Sequence, residues 1–472
     1  MRLPIAAALL AASLVAQAQQ APSLDPATEA KVDAIAKKVL AETGVPSASV
    51  GIVKDGAIVY TKAFGLAIVS PPKASEAAME YPIGSISKQF TATAALILQQ
   101  DGKLSLDDKV AKYFPELTRS NEVSLRNLMT MTSGYEDFAP QDYQVPAWRK
   151  SVDPLANVRQ WATKPLDFDP GTDWQYSNTN YVLLGLIVQK VSGEPLYKFI
   201  QERVLAPLRM ETVFNAYTDR KRLQVDGYMS NAMAAPRVLP LEGDGWYFGD
   251  GELAMPASGL LTWDLGIIDR TLLTPESYKE FETSFTLKNG KDAHYGLGIF
   301  IRQKNGRLVF EHSGEVGGYV AENVVYPNDH AAVVVLTNEI ASEAASEIAA
   351  AIEPLILPEP PPAKPSPAAG VVATFAPKLQ PILTGLQTSQ IDRSLFTDDT
   401  NDYFNKETLA DFQSTLGPLG TITSVAPLSS SLRGGMTFGL YKVTFSGGTS
   451  VLVTVYLEPD GKIEQLLVIG KA

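Results

Sequence analysis

Runs with strand character stand at both ends of residues 24–353, and helical or loop segments fill the stretch between them. Near the start, 48–53 and 57–64 are rich in β-branched residues and flank Lys54-Asp55-Gly56, which reads as a hairpin. Three more such runs, 308–312, 319–326 and 331–336, come late, and a helix at 342–352 closes the segment. A lone hairpin is marginal in water, so strands from both ends must meet in one antiparallel sheet. The segments within 105–258 then form a second, helical lobe, with a cleft where the lobes join. The expected class is mixed α/β (α+β): an antiparallel sheet flanked by helices, plus a helical lobe.

Three short strings occur in order within that frame: Ser85-Ile86-Ser87-Lys88, Tyr176-Ser177-Asn178 and His312-Ser313-Gly314. They supply a nucleophile with a lysine one turn on, a phenol with an amide, and a cation, His312, charged for only part of the physiological pH range, with a hydroxyl and glycine. That is the inventory of an acyl-transfer site without a Ser-His-Asp triad. Single matches mean little, since Ser70-Pro71-Pro72-Lys73 and Tyr403-Phe404-Asn405 also occur. Two prolines prevent a helical turn between Ser70 and Lys73. Ser85 instead opens an apolar run, 88–100, that reads as a buried helix stopped at Asp101-Gly102. A serine on such a first turn sits where unpaired N–H groups favour a developing anion. Either Lys88 or Tyr176 can serve as its base, and the sequence does not choose between them.

These strings resemble the serine β-lactamase and penicillin-binding-protein superfamily, in its class C β-lactamase, D-aminopeptidase and family VIII esterase branch. The resemblance covers about residues 30 to 352. It extends to Val123-Ser124-Leu125-Arg126-Asn127-Leu128-Met129-Thr130-Met131-Thr132-Ser133-Gly134, Pro170-Gly171, Tyr295-Gly296-Leu297-Gly298 and Val333-Val334-Val335-Leu336-Thr337-Asn338. It implies that Ser85 is acylated, with Lys88 as its proton partner and Tyr176 as general base and acid. Asn178, His312, Ser313 and Gly314 would bind substrate, and the N–H groups of Ser85 and Glu315 would form the oxyanion hole. His312 stands where the β-lactamases carry a lysine, and Met131 where a histidine is frequent, as packing. Glu315 replaces a small residue, so its carboxylate is expected to disfavour anionic substrates such as penicillins and to favour neutral short-chain esters or amides.

Arg2, the apolar stretch 5–15 and Ala16-Gln17-Ala18 read as a signal peptide over residues 1–18, implying a periplasmic or secreted protein. The chain has no cysteine, which removes disulfides and thiol catalysis. Its three histidines lack metal-ligand spacing, so neither metal nor cofactor is expected. A formal net charge of −12 argues against nucleic acid and anionic membrane surfaces, and no later apolar run is long enough for membrane insertion. The partner expected is a small-molecule or peptide substrate.

Seven prolines crowd residues 354–370, which read as an extended spacer that separates rather than packs. Residues 371–472 then form a small α+β domain of unknown role, with no visible catalytic constellation. Phe375, Leu379, Ile382, Leu383 and Leu386 have helical spacing, although Pro381 counts against one straight helix. A helix at 406–416 and strands at 437–445, 451–458 and 462–469 follow, resembling a nuclear-transport-factor-like cone. Asp398-Asp399-Thr400-Asn401-Asp402 lacks the glycine of a calcium loop and reads as a solvated acidic turn. Trp246, Tyr247 and Phe248 form either an aromatic rim over the cleft or a plug that ties their loop down. The whole reads as an exported serine hydrolase of small esters or amides. D-amino-acid peptidase or β-lactamase activity is the alternative within enzymes, and a non-catalytic binding protein the alternative outside them.

Overall fold

The computed structural model describes residues 22–357 and 372–471. The leader at 1–18 and most of the proline-rich stretch lie outside the described residues. The longer helices of the first unit are α1 (Pro26–Thr43), α2 (Ser87–Gln100), α3 (Asn178–Ser192), α4 (Ala257–Ile268) and α5 (Ala344–Ile356). Its main strands are β1 (Ser47–Lys54), β2 (Ala57–Ile68), β3 (Phe300–Lys304), β4 (Arg307–Val316), β5 (Tyr319–Tyr326) and β6 (Ala331–Thr337).

The two ends of the unit do meet in one antiparallel sheet. From the short strand Lys73–Ala74 its order runs β2, β1, β6, β5, β4, β3. The join is β1 on β6, in register from Ala48 opposite Thr337 to Val53 opposite Ala332. On one face Val50, Ile52, Val333 and Val335 pack under Val32 and Ala36 of α1 and Ile348 and Ile352 of α5. Each such fully buried side chain contributes about 1.5–3 kcal/mol of transfer free energy. On the other face α4 comes close at Gly51, where an added Cβ would lie 2.8 Å from Leu261 Cδ1. The helical lobe centres on α2, whose residues from Ser87 to Leu98 are all buried.

The spacer was expected to begin at Pro354, but α5 continues through that proline to Ile356. Burial of Ile352 and Ile356 against the sheet holds its last turn together. The second unit starts with α6 (Val372–Leu386), which runs through both Pro377 and Pro381 because Leu379, Leu383 and Leu386 are fully buried along one side. After α7 (Lys406–Leu416) comes a four-stranded meander, β7 (Ile422–Arg433), β8 (Met436–Phe445), β9 (Ser450–Leu457) and β10 (Ile463–Lys471). The sequence reading missed β7. Pro427 and the serines 429–431 disguise it, and a register irregularity between Pro427 and Ser429 accommodates the proline at the sheet edge. Residues 398–402 form a short helix capped by the Thr397 hydroxyl.

The second unit does not stand apart, as the spacer had suggested. Tyr143 donates to the Glu464 carbonyl at 3.0 Å, and Asp142 and Gln465 exchange two hydrogen bonds at 2.7 and 2.8 Å. Arg237 meets Asp411, and the rings of Tyr143 and Tyr403 pack 5.1 Å apart. This docking brings the turn between β7 and β8 against the helical lobe, where Gly434 approaches Pro140.

Candidate active site

A turn at Gly84–Ile86 precedes α2 and presents Ser85, half-buried, at the start of the buried helix. An N–H in a first turn has no acceptor in its own helix, so that of Ser85 is available to an incoming anion. One turn on, Lys88 is fully buried, and its Nζ donates to Ser85 Oγ at 2.8 Å and to Asn178 Oδ1 at 2.7 Å. It also reaches the Asp250 carbonyl at 3.1 Å and one Asp250 carboxyl oxygen at 3.5 Å. The Tyr176 ring stacks over the ammonium with its centroid 5.0 Å away, and the Tyr176 hydroxyl is buried with no hydrogen-bond partner among the described residues.

Asn178 opens α3. Its backbone N–H donates to Asp137 Oδ1 at 2.9 Å, so a fully buried carboxylate closes that helix N-terminus in place of a local cap. Met131 is fully buried in the left-handed region beside this junction, and its sulfur accepts from the Ser177 N–H, so it packs as expected.

The opposite wall is β4. Its partner β3 pairs with Arg307 to Glu311 only, which leaves residues 312–316 as an open edge toward Ser85. Contact there is backbone on backbone. An added Cβ on Gly314 would lie 1.9 Å from the Ile83 carbonyl oxygen, and one on Gly84 would lie 2.5 Å from the Glu315 nitrogen. Only glycine permits both approaches, and they bring the N–H groups of Ser85 and Glu315 to one place.

One cleft of about 500 Å³ is lined by Ser85, Tyr176, Asn178, His312, Ser313 and Glu315. Lys88 lies beneath Ser85, so the structure brings the sequence-derived residues together. Two of them differ in charge from expectation. His312 is 2% exposed and hemmed by Phe300, Tyr295 and Tyr176, and its Nε2 pairs with the Tyr295 hydroxyl at 3.0 Å. Burial, with Lys88 and Arg302 adding to it, pushes its pKa down to about 3, so it is neutral throughout the physiological range. Burial and the Asp142 charge push the Glu315 carboxyl well above its ordinary value. This shift weakens the repulsion of anionic substrates expected from Glu315.

Trp246 and Tyr247 are both 8% exposed. The Trp246 indole donates to the Lys150 carbonyl, while Tyr247 lines the cleft, so the loop is plug and rim at once.

Three participants escaped the sequence reading. Asp137 and Asp250 sit in loops whose local patterns give no sign of their partners. Arg433, at the end of β7, reaches across from the second unit. Its Nε donates to Asp137 Oδ2 at 3.0 Å and its Nη2 to the Ala139 carbonyl at 2.9 Å, and its guanidinium stacks 5.1 Å from the Tyr176 ring centroid. Ser431, Leu432, Phe438 and Tyr456 complete that wall of the cleft. The Gly434-Gly435 pair marks a turn there, but nothing local shows where the turn docks.

The beta-lactamase family pattern matches residues 32–355, which is most of the chain. The chain belongs to the beta-lactamase family. Penicillin-binding protein 4* of Bacillus subtilis is 29% identical over 304 residues, 60% of this chain and 66% of that protein, so the chain spans just under two thirds of its relative's length. A D-stereospecific amidohydrolase from Streptomyces sp. shares the fold over 68% of this chain and 96% of its own, with a TM-score of 0.58 and 24% identity. The octameric penicillin-binding protein homologue from Pyrococcus abyssi matches 94% of this chain and 99% of its own, with a TM-score of 0.59 and 22% identity, so the likeness takes in the second unit. Family and fold are those of serine hydrolases.

Proposed function

We propose that the protein is an exported serine hydrolase that opens small esters or amides through an acyl-enzyme on Ser85. The observation that carries this reading is the 2.8 Å contact between Lys88 Nζ and Ser85 Oγ at the start of a buried helix. With the amine neutral the same contact runs in reverse, and Lys88 takes the hydroxyl proton as Ser85 Oγ bonds to the carbonyl carbon. The carbonyl oxygen, now anionic, accepts from the N–H groups of Ser85 and Glu315, a kind of contact whose loss typically costs a factor of about 10²–10³ in rate. Tyr176, whose hydroxyl has no hydrogen-bond partner among the described residues, protonates the leaving group. Water then adds to the acyl carbon as its proton passes to the Tyr176 oxygen, and Ser85 Oγ leaves with the proton that Lys88 holds, which releases the acid and restores Ser85, Lys88 and Tyr176.

A serine-directed fluorophosphonate should label the folded protein at Ser85 alone, and Ser85→Ala should abolish both labelling and turnover. Peptide mapping that found no adduct at Ser85 on folded protein would sink the mechanism. Hydrolysis of D-amino-acid amides is the second reading, favoured by the fold shared with the Streptomyces amidohydrolase. A panel of D- and L-amino-acid p-nitroanilides separates it from plain esterase activity. Export rests on residues 1–18, and mature protein should begin at Gln19 on N-terminal sequencing of secreted or periplasmic material.

A further inference from the structure

Hydrolysis as proposed uses one end of the cleft. Elsewhere on its lining stands Arg433, with a side chain 24% exposed. Two of its three nitrogens are committed to Asp137 and Ala139. The third, Nη1, makes longer contacts among the described residues: the Tyr456 hydroxyl at 3.5 Å and Asp142 at 4.0 Å, and Arg433 lines the cleft. A guanidinium has five donors in a fixed fork, and a half-engaged fork beside a cavity is suited to a carboxylate.

The balance of charge favours the same occupant. Lys88 is fully buried under Ser85 and already holds three oxygens. His312 is neutral. Burial opposes the charge of Arg433, but Tyr456, Asp137, Asp142 and Tyr176 hold it well above its usual range. It is therefore the fixed cation among the described residues that line the cleft. Its counter-charge, Asp137, is fully buried and is also engaged by the N–H groups of Asn178 and Ala139. Three carboxyls line the cavity, and burial raises each of them. Asp142 is bonded by Gln465, Glu242 by Tyr217 and the Gly317 N–H, and Glu315 keeps one oxygen without a partner. Burial thus works against a negative charge on each of them and weakens their repulsion of an anion.

The position is also productive. The Tyr176 ring is close to both groups, its centroid 5.0 Å from Lys88 Nζ and 5.1 Å from the Arg433 guanidinium carbon. A group held by Arg433 thus lies close to the phenol ring that the lysine serving the nucleophile also approaches.

We propose that Arg433, supplied by the C-terminal unit, binds a carboxylate of the substrate, so that the preferred esters or amides carry a free acid group near the scissile carbonyl. This rests on the acyl-enzyme reading above and narrows its substrate class. The chemistry at the reacting carbon is unchanged, and no further co-reactant enters.

The test compares p-nitrophenyl hydrogen glutarate with p-nitrophenyl butyrate, and 3-carboxy-4-nitrophenyl butyrate with the same neutral ester. These pairs place the carboxylate on the acyl or the leaving side. In at least one pair the unmodified full-length protein should prefer the acid in kcat/KM, and Arg433→Gln should lower that acid-to-neutral ratio at least tenfold, with partial recovery in Arg433→Lys. Ratios that stay within twofold in both pairs would overturn the proposal, as would a better rate on the cationic 4-aminobutyrate ester. If the glutamine variant fails to fold, the unmodified protein still decides. Glutarate should compete with butyrate ester hydrolysis and lose potency as salt rises, whereas glutaramide should not compete. Absence of inhibition by glutarate would overturn the proposal. Turnover without charge discrimination defeats only this inference, while absence of Ser85 labelling and of all ester hydrolysis defeats the acyl-enzyme reading itself.

Discussion

Lys88 and Asp250 face each other across 3.5 Å with neither side chain exposed. Burial pushes the Asp250 carboxyl up to about 7, against the pull of Lys88, and neither carboxyl oxygen has a hydrogen-bond partner among the described residues. The charge beside the lysine that serves Ser85 therefore changes near neutral pH, where the site would work. The rate of fluorophosphonate labelling at Ser85 should show an inflection near pH 7 that Asp250→Asn removes. Superimposable pH profiles for the two proteins would rule out this coupling.

The same carboxyl ties stability to pH. Between the ordinary aspartate value and about 7 the folded form holds a proton that the unfolded chain has lost, so stability falls as pH rises through that window. One proton corresponds to a slope of at most about 1.4 kcal/mol per pH unit. Relative to the unmodified protein, Asp250→Asn should gain melting temperature steadily from pH 4 to pH 7 and level off above. A difference that did not vary with pH would remove Asp250 from the account.

Gly314→Ala tests the backbone contact between β4 and the serine turn. The new methyl would meet the Ile83 carbonyl oxygen at 1.9 Å, so the edge strand must retreat from Ser85 and draw the Glu315 N–H with it. We expect kcat/KM to drop by about 10²-fold or more, the scale of losing one oxyanion donor. Wild-type rates in a folded alanine variant would show that this edge plays no part in the reaction.

Arg433 and Asp137 allow a double-mutant cycle across the two units. Asp137→Ala should destabilise more than Arg433→Ala, because it also uncaps α3 at Asn178, a loss worth about 1 kcal/mol. A coupling energy of about 0.5–3 kcal/mol is expected for the pair from urea unfolding. Strict additivity would mean that the contact carries no free energy.

A chain ending at residue 357 tests the docked wall. A separate second unit without a catalytic constellation would leave such a chain most of its activity, whereas the wall formed by Ser431, Leu432, Arg433, Phe438 and Tyr456 predicts otherwise. Ser85 should still be labelled, while kcat/KM on small esters falls at least tenfold. Circular dichroism establishes folding, and full activity in the folded fragment would show the wall to be dispensable.

Much of this was legible in the amino-acid order. The hairpin at 48–53 and 57–64 and the late strands were readable because β-branched runs, the first two flanking Asp55-Gly56, need a shared sheet. Ser85, Lys88, Tyr176 and Asn178 were readable because each lies in a short string whose spacing follows from one element. Protonation was not. His312 reads as a part-time cation until Phe300 and Tyr295 are seen around it, and Glu315 as a charge until its burial is known. β7 hid behind Pro427 and a run of serines. Arg433 was illegible for a further reason: its partners at 137 and 139 are joined to it only by the way two separately folded surfaces meet, which no local pattern records.

That arrangement divides the cleft between two bodies of structure. The bond-breaking groups are set into α2, α3 and β4, where a change of volume or backbone disturbs a core that tolerates little. Arg433 hangs from the outermost strand of a separate sheet, next to a turn of two glycines, and meets the catalytic unit through Asp137, Asp142, the Ala139 carbonyl and the Tyr176 ring. Lineages that vary this turn could explore new acyl or leaving groups at small risk to the reaction itself, so appetite and chemistry in this protein are able to evolve at different speeds.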